Sequence, residues 1–187
     1  FGKIQKQTLK KTLSILLFLS LILLGCTGKT HVDEEESLLI DSLPTFLSLA
    51  NDVDLTYDLK QKYNKKAFAI IIKQKDDSVN KVNLFKIANR YYNMSDWKSY
   101  LQTTELILKR SKDTKDSANI AKAYTYLGDY YVSKSVSDSA FMNFYHAEKL
   151  YLAINDHYNL AKTYLSKASL QYNEGDFFES EKSGGLV

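Results

Sequence analysis

Apolar residues recur at helical spacing over most of the chain from residue 38 onward. In the stretch 55–75, for example, Leu55, Leu59, Tyr63 and Ala67 fall on one face of a helix. Residues 67–72 also have the composition of a buried strand, but no partner strand is evident, so a helix is favoured. The pattern predicts an all-α protein with helices at residues 38–50, 55–75, 79–93, 96–111, 117–133, 137–155, 157–173 and 177 to the end.

Single residues indicate where several of these helices begin. Pro44 would break an established helix, so we expect the first helix to begin near it. Polar side chains that can accept a hydrogen bond from a free backbone amide are expected to cap four later helices, at Asp96, Ser117, Ser137 and Asp176. With one proline and seven glycines, the chain has little to interrupt long helices.

Small and aromatic residues between 121 and 152 are spaced as in two packed helices. Gly128, Ala140 and Ala147 would lie where the helices approach most closely. Larger residues would fill the space around them, namely Tyr124, Leu127, Tyr131 and Phe144. This pattern resembles a tetratricopeptide repeat, and the resemblance implies a right-handed α-solenoid of antiparallel helix pairs. Leu152 stands where the family usually has a helix-ending proline, so we expect that helix to continue for a turn or more.

The same register recurs about forty residues away in both directions. A frame that begins at Lys81 places Ala88 at the position of Gly128, and a frame that begins at Ala161 places Tyr164 at that of Tyr124. The period exceeds the family's usual length of about 34 residues, which implies helices about one turn longer. The predicted organisation is a degenerate first helix pair at 38–80, repeats at 81–120 and 121–160, and an incomplete repeat at 161–187.

Residues 1–25 have the features of a bacterial signal peptide. Four lysines and no acid in residues 3–11 precede the apolar run 13–24, whose helical length of about 18 Å falls short of a bilayer core of about 30 Å. The sequence Leu23-Leu24-Gly25-Cys26 follows, and it resembles the lipobox of bacterial lipoproteins. The resemblance implies that Cys26, the single cysteine of the chain, carries the lipid that anchors the protein in a membrane.

Residues 26–37 have the composition of a polar tether, with four acidic residues at 33–36. Such a segment acts as a solvated spacer, or, by its resemblance to lipoproteins of Bacteroidetes-type bacteria, as a surface-export signal. We therefore expect the protein in the cell envelope, on the outer membrane at its periplasmic side or at the cell surface. Removal of the leader lysines brings the formal charge of +3 close to zero, and no basic stripe predicts nucleic-acid binding.

No group of residues in the sequence predicts catalysis. The three histidines, His31, His146 and His157, lie far apart, and none has a second ligand at a metal-binding spacing. Neither a glycine-rich phosphate loop nor a nucleophile motif occurs in the sequence. We therefore expect no enzyme activity, no cofactor and no metal within these residues.

The resemblance to tetratricopeptide repeats also implies a concave wall that binds a partner. The family's inward positions correspond here to Phe85, Asn89, Tyr92, Lys122, Thr125, Asp129, Lys162, Ser169 and Tyr172. The set of lysine, asparagine and arginine side chains with which some family members bind a peptide C-terminal carboxylate is missing. A mixed polar and aromatic wall suits an extended or helical peptide, although simple solvation of the wall would account for the same residues.

Three functions are compatible with these expectations. The first is a membrane-anchored cell-envelope lipoprotein whose repeats bind a protein or peptide as an interaction scaffold. The second is the N-terminal sensing half of a truncated signal-transduction or transcriptional regulator, since the chain begins without Met and ends inside a predicted helix, as a fragment would. The third is a SusD-like nutrient-binding outer-membrane lipoprotein, although the long loops of that family are missing. The sequence does not identify the ligand.

Overall fold

The computed structural model describes residues 42–187. The prediction of an all-α protein is confirmed, because eight helices and no strand occur within the described residues. Residues 67–71 belong to a helix, so the alternative of a strand there is wrong. The helices are α1 (Leu43–Leu49), α2 (Tyr57–Ile71), α3 (Ser78–Asn93), α4 (Trp97–Asp113), α5 (Ser117–Ser133), α6 (Ser137–Ala153), α7 (His157–Asn173) and α8 (Phe177–Gly184).

The turns that join α3 to α8 recur at intervals of twenty residues. Each turn has three residues, and the middle one has a positive φ of 54° to 81°, at Ser95, Lys115, Ser135, Asn155 and Gly175. The amide of the third turn residue donates to the carbonyl five residues earlier, at 2.9–3.0 Å, which closes the preceding helix. Because α4 to α7 each have 17 residues, a helix and its turn make one step, and two steps make the forty-residue period.

Aspartate side chains cap five of the described helices. Each accepts a hydrogen bond from the backbone amide three residues later, at 2.8–3.2 Å, so one otherwise free amide of the first helical turn is satisfied. The capping residues are Asp77, Asp96, Asp116, Asp156 and Asp176. The predicted caps at Asp96 and Asp176 are therefore confirmed.

The other two predicted caps are wrong. Ser117 and Ser137 are each the first helical residue, one place after the cap position. Asp116 occupies the cap position of α5 and Val136 occupies that of α6, where no side chain accepts a hydrogen bond from the helix. Serine is a good cap by residue type, but the three-residue turn places the cap one residue earlier.

Two further helix ends were predicted from the sequence. The first helix begins at Leu43, with Pro44 in its first turn and Ser42 as its cap, as expected near a proline. The extension of α6 by a turn beyond Leu152 is wrong, because the helix ends one residue later at Ala153. Here the turn that contains the positive φ of Asn155 ends the helix, and no proline is needed.

The closest contact between α5 and α6 forms at Gly128. A Cβ atom at this position would lie 2.4 Å from Cε1 of Phe144, so only glycine fits beneath the ring. Ala140 and Ala147, which the repeat pattern also places at the close approach, are fully buried. Leu127 is buried as well. The two tyrosines of the pattern, Tyr124 and Tyr131, are half-buried and pack against the neighbouring apolar clusters.

Apolar clusters follow one another along the chain, because each helix packs against its neighbours in sequence. The first cluster joins α1 to α5, and two smaller clusters join α5, α6 and α7. The buried Lys81 strengthens one such junction, since its ammonium lies 3.3 Å from the Asp116 carboxylate in the turn before α5. Antiparallel helix pairs that stack in this order form an α-solenoid.

The predicted membrane attachment concerns residues that the structure does not describe. The signal peptide, Cys26 and the acidic tether all lie within residues 1–41, outside the described residues. Among residues 42–187, no helix is both long enough and apolar enough to cross a membrane.

Candidate functional site

Apolar side chains remain exposed at the same register of α3, α5 and α7. Tyr92, Val132 and Tyr172 lie forty residues apart, and 39%, 41% and 61% of their respective surfaces are exposed. We call these three residues the exposed stripe. An apolar position that is exposed in successive repeats is typical of a surface that contacts another molecule.

Val132 also borders a cleft between α5 and α7. The cleft has a volume of about 320 Å³, and α6 contributes the ring of Phe144 to it. We call it the α5–α7 cleft, and its lining residues are Asp129, Val132, Phe144, Leu165, Ser166, Ser169, Leu170 and Asn173. Two of the predicted wall residues, Asp129 and Ser169, therefore lie in one site.

Asp129 is the one acidic residue in the lining of this cleft. Burial raises the pKa of its carboxyl from 3.8 to about 7. No hydrogen bond or ion pair from the described residues reaches this carboxyl group. Tyrosines from four helices lie within its electrostatic reach, and burial and then the Asp129 charge raise the pKa of Tyr92, Tyr100 and Tyr126. Burial is also the main cause of the raised pKa of Tyr151.

One aromatic residue of the predicted wall, Phe85, is covered rather than open. Phe85 is only 3% exposed, and its ring stands edge-on to Tyr126 with 5.1 Å between ring centroids. The ammonium of Lys122 lies 4.4 Å above the centre of the same ring. The prediction that Phe85 lies on the open wall is therefore wrong, because helix α5 of the next pair covers this side chain. Burial, followed by the charge of Lys162, lowers the pKa of Lys122.

The remaining predicted wall residues do not gather at the cleft. Asn89 is exposed on α3, and Thr125 is half-buried on α5, where its hydroxyl donates to the carbonyl of Ala121 at 3.3 Å. Lys162 is exposed on α7, and its ammonium lies 4.3 Å above the ring of Tyr158. The structure thus joins α5 and α7 in one candidate site and leaves α3 at its edge.

Tyr100 shows a role for tyrosine that the composition did not reveal. This side chain is almost fully buried, and its hydroxyl donates to the backbone carbonyl of Tyr126 at 2.9 Å. This hydroxyl is therefore bonded within the protein rather than directed to water. The two rings stack with 5.8 Å between centroids, so this tyrosine joins α4 to α5.

A second cleft, which no sequence pattern indicated, lies beside α3. It is lined by Ala50, Asn51, Tyr57, Lys60, Arg90, Asn93 and Met94. One guanidinium nitrogen of Arg90 donates to the carbonyl of Leu47 at 2.8 Å. The other two, Nε and Nη1, are fully buried and have no hydrogen-bond partner within the described residues. Burial also lowers the pKa of Arg90.

No metal-binding group is present within residues 42–187, since no three His, Cys, Asp or Glu side chains there are placed to share an ion. Two histidines lie in this range. His146 packs against the rings of Tyr124 and Tyr145, with centroid distances of 5.1 and 6.2 Å. His157 is the first residue of α7.

Two solved structures resemble this chain. The apo form of RapI matches with a TM-score of 0.62 and 13% identity, over 98% of this chain and 66% of RapI. BtubC (BKLC) from P. vanneervenii matches with a TM-score of 0.55 and 15% identity, over 82% of this chain and 67% of that protein. This chain therefore spans just under two thirds of the length of RapI.

A scan against protein-family models finds no match, and a search of the curated proteins finds none either. At identities of 13% and 15%, the similarity to RapI and BtubC concerns the fold alone. Together with the stacked helix pairs and the forty-residue step, it identifies the chain as an α-solenoid with a tetratricopeptide-like repeat fold.

Proposed function

We propose that this protein is a lipid-anchored scaffold of the bacterial cell envelope, whose repeats bind a segment of a partner protein without catalysis. The exposed stripe of Tyr92, Val132 and Tyr172 is the observation that carries the binding role. Packing within the solenoid buries large apolar side chains such as Tyr91 and Phe144 almost completely, yet it leaves 39–61% of the surface of the side chains at this repeated position exposed. A partner that covers the stripe gains about 25 cal/mol for each Å² of apolar surface removed from water.

The spacing of the helices suggests the length of the bound segment. Neighbouring packed helices lie about 8–10 Å apart, so the stripe across α3, α5 and α7 extends for roughly 20 Å if consecutive inner helices are about 10 Å apart. An extended chain advances by about 3.3 Å per residue. A segment of about six or seven residues would therefore reach all three repeats.

The anchoring part of the proposal is supported by the sequence of residues 1–26. The apolar run and the lipobox-like Leu23-Leu24-Gly25-Cys26 follow each other directly. A lipid on Cys26 would hold the array close to a membrane, and two or more acyl chains make such an attachment stable. The three-residue turns between α3 and α8 do not favour the nutrient-binding alternative, which requires long loops between helices.

The binding role can be tested with peptides selected on the full chain. A random heptapeptide library is displayed on phage and selected, and the recovered peptides are labelled and measured by fluorescence anisotropy. The substitution Val132→Arg puts a long charged side chain in place of an apolar contact of the stripe and should weaken binding by at least about tenfold, or about 1.4 kcal/mol.

Leu152→Arg provides a matched control for this experiment. Leu152 is 43% exposed, close to the 41% of Val132, but it lies on α6 and outside the stripe. We expect this variant to bind as the unmodified chain does. If the selection yields no binding peptide, or if Leu152→Arg weakens binding while Val132→Arg does not, the proposed binding surface is wrong.

A further inference from the structure

We propose that the α5–α7 cleft binds a cationic side chain, arginine or lysine, of the partner segment, with the Asp129 carboxylate as its acceptor. Because it names a ligand group for the surface proposed above, this assignment depends on that proposed function. The ion pair with Asp129 would fix the position of the bound segment along the exposed stripe.

The first support is the environment of Asp129. Asp129 is the one charged residue of the cleft, whose other lining residues are four apolar ones, Val132, Phe144, Leu165 and Leu170, and three neutral polar ones, Ser166, Ser169 and Asn173. A carboxylate that is held among such residues has a high free energy unless a donor or a cation pairs with it. Within the described residues no such partner reaches it. An incoming cation would remove this unfavourable state.

The second support is the position of the neighbouring lysines. The ammonium of Lys122 lies above Phe85, and that of Lys134 lies 5.6 Å from the centre of the Trp97 ring. Lys167 pairs with the carboxylate of Glu148 at 2.7 Å. These cations therefore have other partners, and the negative charge in the cleft is not neutralised by them.

The third support is the shape and chemistry of the lining. Arginine and lysine have long apolar stems that pack along apolar side chains while the charged group contacts a polar partner. Leu165, which is 54% exposed at the edge of the cleft, and Val132 offer such a surface. The ring of Tyr92 is 39% exposed and electrostatically coupled to Asp129, and an aromatic face attracts a cation further.

Asp129 is the one charged residue among the three inner positions that occupy its register in the repeats. Asn89, Asp129 and Ser169 occupy the same register of α3, α5 and α7, and only Asp129 carries a charge. A partner segment with one basic residue would therefore bind in one register along the stripe. The same charge would repel a terminal carboxylate, so an internal segment is favoured as the ligand.

The experiment uses the heptapeptides selected on the full chain and neutral copies of them. Each arginine is replaced by citrulline, which has a similar shape without the charge, and each lysine by norleucine, which keeps the four-carbon stem without the ammonium. We expect the copies to bind the unmodified chain at least about tenfold more weakly, as befits the loss of one charge-assisted hydrogen bond. With Asp129→Asn, the basic and neutral peptides should bind equally.

The pH of the binding assay provides a second readout. A cation binds the ionised carboxylate, and the free carboxyl has a pKa of about 7, so affinity should fall about tenfold between pH 8 and pH 6. The groups that face Asp129 from α3 to α6 are Tyr92, Tyr100, Tyr126 and Tyr151, whose raised pKa values keep them neutral in this range. The lining residues of α7 do not titrate.

Asp113→Asn is the matched control, because Asp113 is an exposed carboxylate at the end of α4 and outside the cleft lining. It should leave affinity and pH dependence unchanged. If the selected peptides bind at the stripe but lack basic residues, or bind equally well when neutralised, the role of Asp129 is refuted and the scaffold function survives. If no peptide is recovered, both proposals fail.

Discussion

Val136 stands at a helix start where other turns of the array have a capping aspartate. Its backbone has φ −110° and ψ 76°, near the φ −85° and ψ 75° of Asp156 before the next helix. The Asp156 carboxylate caps α7 by accepting a hydrogen bond from the backbone amide of Asn159 at 3.1 Å. Val136→Asp should therefore place a carboxylate within reach of the equivalent amide, that of Ser139, without a change of backbone conformation.

The size of this gain follows from the value of a helix cap. Replacement of a capping Asp by Ala costs about 0.5–2 kcal/mol, typically about 1 kcal/mol. Val136 is 42% exposed, so its replacement also removes some apolar contact, and Val136→Ala is the proper reference. We expect Val136→Asp to be more stable than Val136→Ala by about 1 kcal/mol, or about 2–4 °C in Tm for a domain of this size.

Urea unfolding followed by circular dichroism at pH 7 and pH 2 measures this difference. The bond from the helix amide lowers the pKa of a capping carboxylate in the folded state, as hydrogen bonds from the Asn159 side chain and backbone do for Asp156. The gain should be present above the unfolded pKa of about 3.9 and disappear as the pH falls through the lower folded pKa. Equal stability of the two variants at pH 7 would refute the capping argument.

Three further predictions concern packing, titration and anchoring. Gly128→Leu should lower the free energy of unfolding by at least about 1–3 kcal/mol, because a Cβ would already meet Phe144 at 2.4 Å. An unchanged free energy of unfolding in urea would contradict the α5–α6 contact. The folded pKa of Asp129, about 7, exceeds the unfolded value of about 3.9. The stability of Asp129→Asn relative to the unmodified chain should therefore rise from pH 4 to pH 7 and then level off. A stability difference that stays constant with pH in urea titrations would count against the burial of this carboxyl. Cys26→Ser should abolish labelling with radioactive fatty acid and release the protein from the envelope fraction; unchanged fractionation would instead make the apolar run 13–24 the anchor.

The helices were predictable from the sequence because their determinants are local. The limits of α5 and α7 agree with the prediction to the residue, since polar breaks before Ser117 and His157 interrupt clear helical spacing. The cap of α5 was misplaced by one position, because Asp116 and Ser117 are adjacent and both residue types are good caps. Only the twenty-residue step of the turns, which the structure reveals, decides between them.

The exposure of the inner wall was not predictable in the same way. Phe85, Thr125 and Leu165 occupy one register of the repeat, yet Phe85 is 3% exposed, Thr125 is half-buried and Leu165 is 54% exposed. The difference arises from what packs beside each helix, because α5 covers Phe85 and no described helix covers Leu165. Such contacts join residues about forty positions apart, and a pattern within one repeat does not contain them.

The residues that define the repeat and those that line the α5–α7 cleft overlap only at Phe144. Gly128 and Phe144 fix the distance between α5 and α6, and their substitution would disturb every contact of that pair. Asp129 follows Gly128 directly in α5 and lines the α5–α7 cleft, and its carboxyl group makes no hydrogen bond or ion pair with the described residues. A carboxylate that is costly to bury and makes no such bonds here is better explained by a ligand than by the fold. Val132, one turn later, extends the same surface without being required for packing. Asp129→Asn should thus weaken the binding of a basic segment while its stability relative to the unmodified chain rises between pH 4 and pH 7, whereas Gly128→Leu should lower stability and disturb the binding surface together.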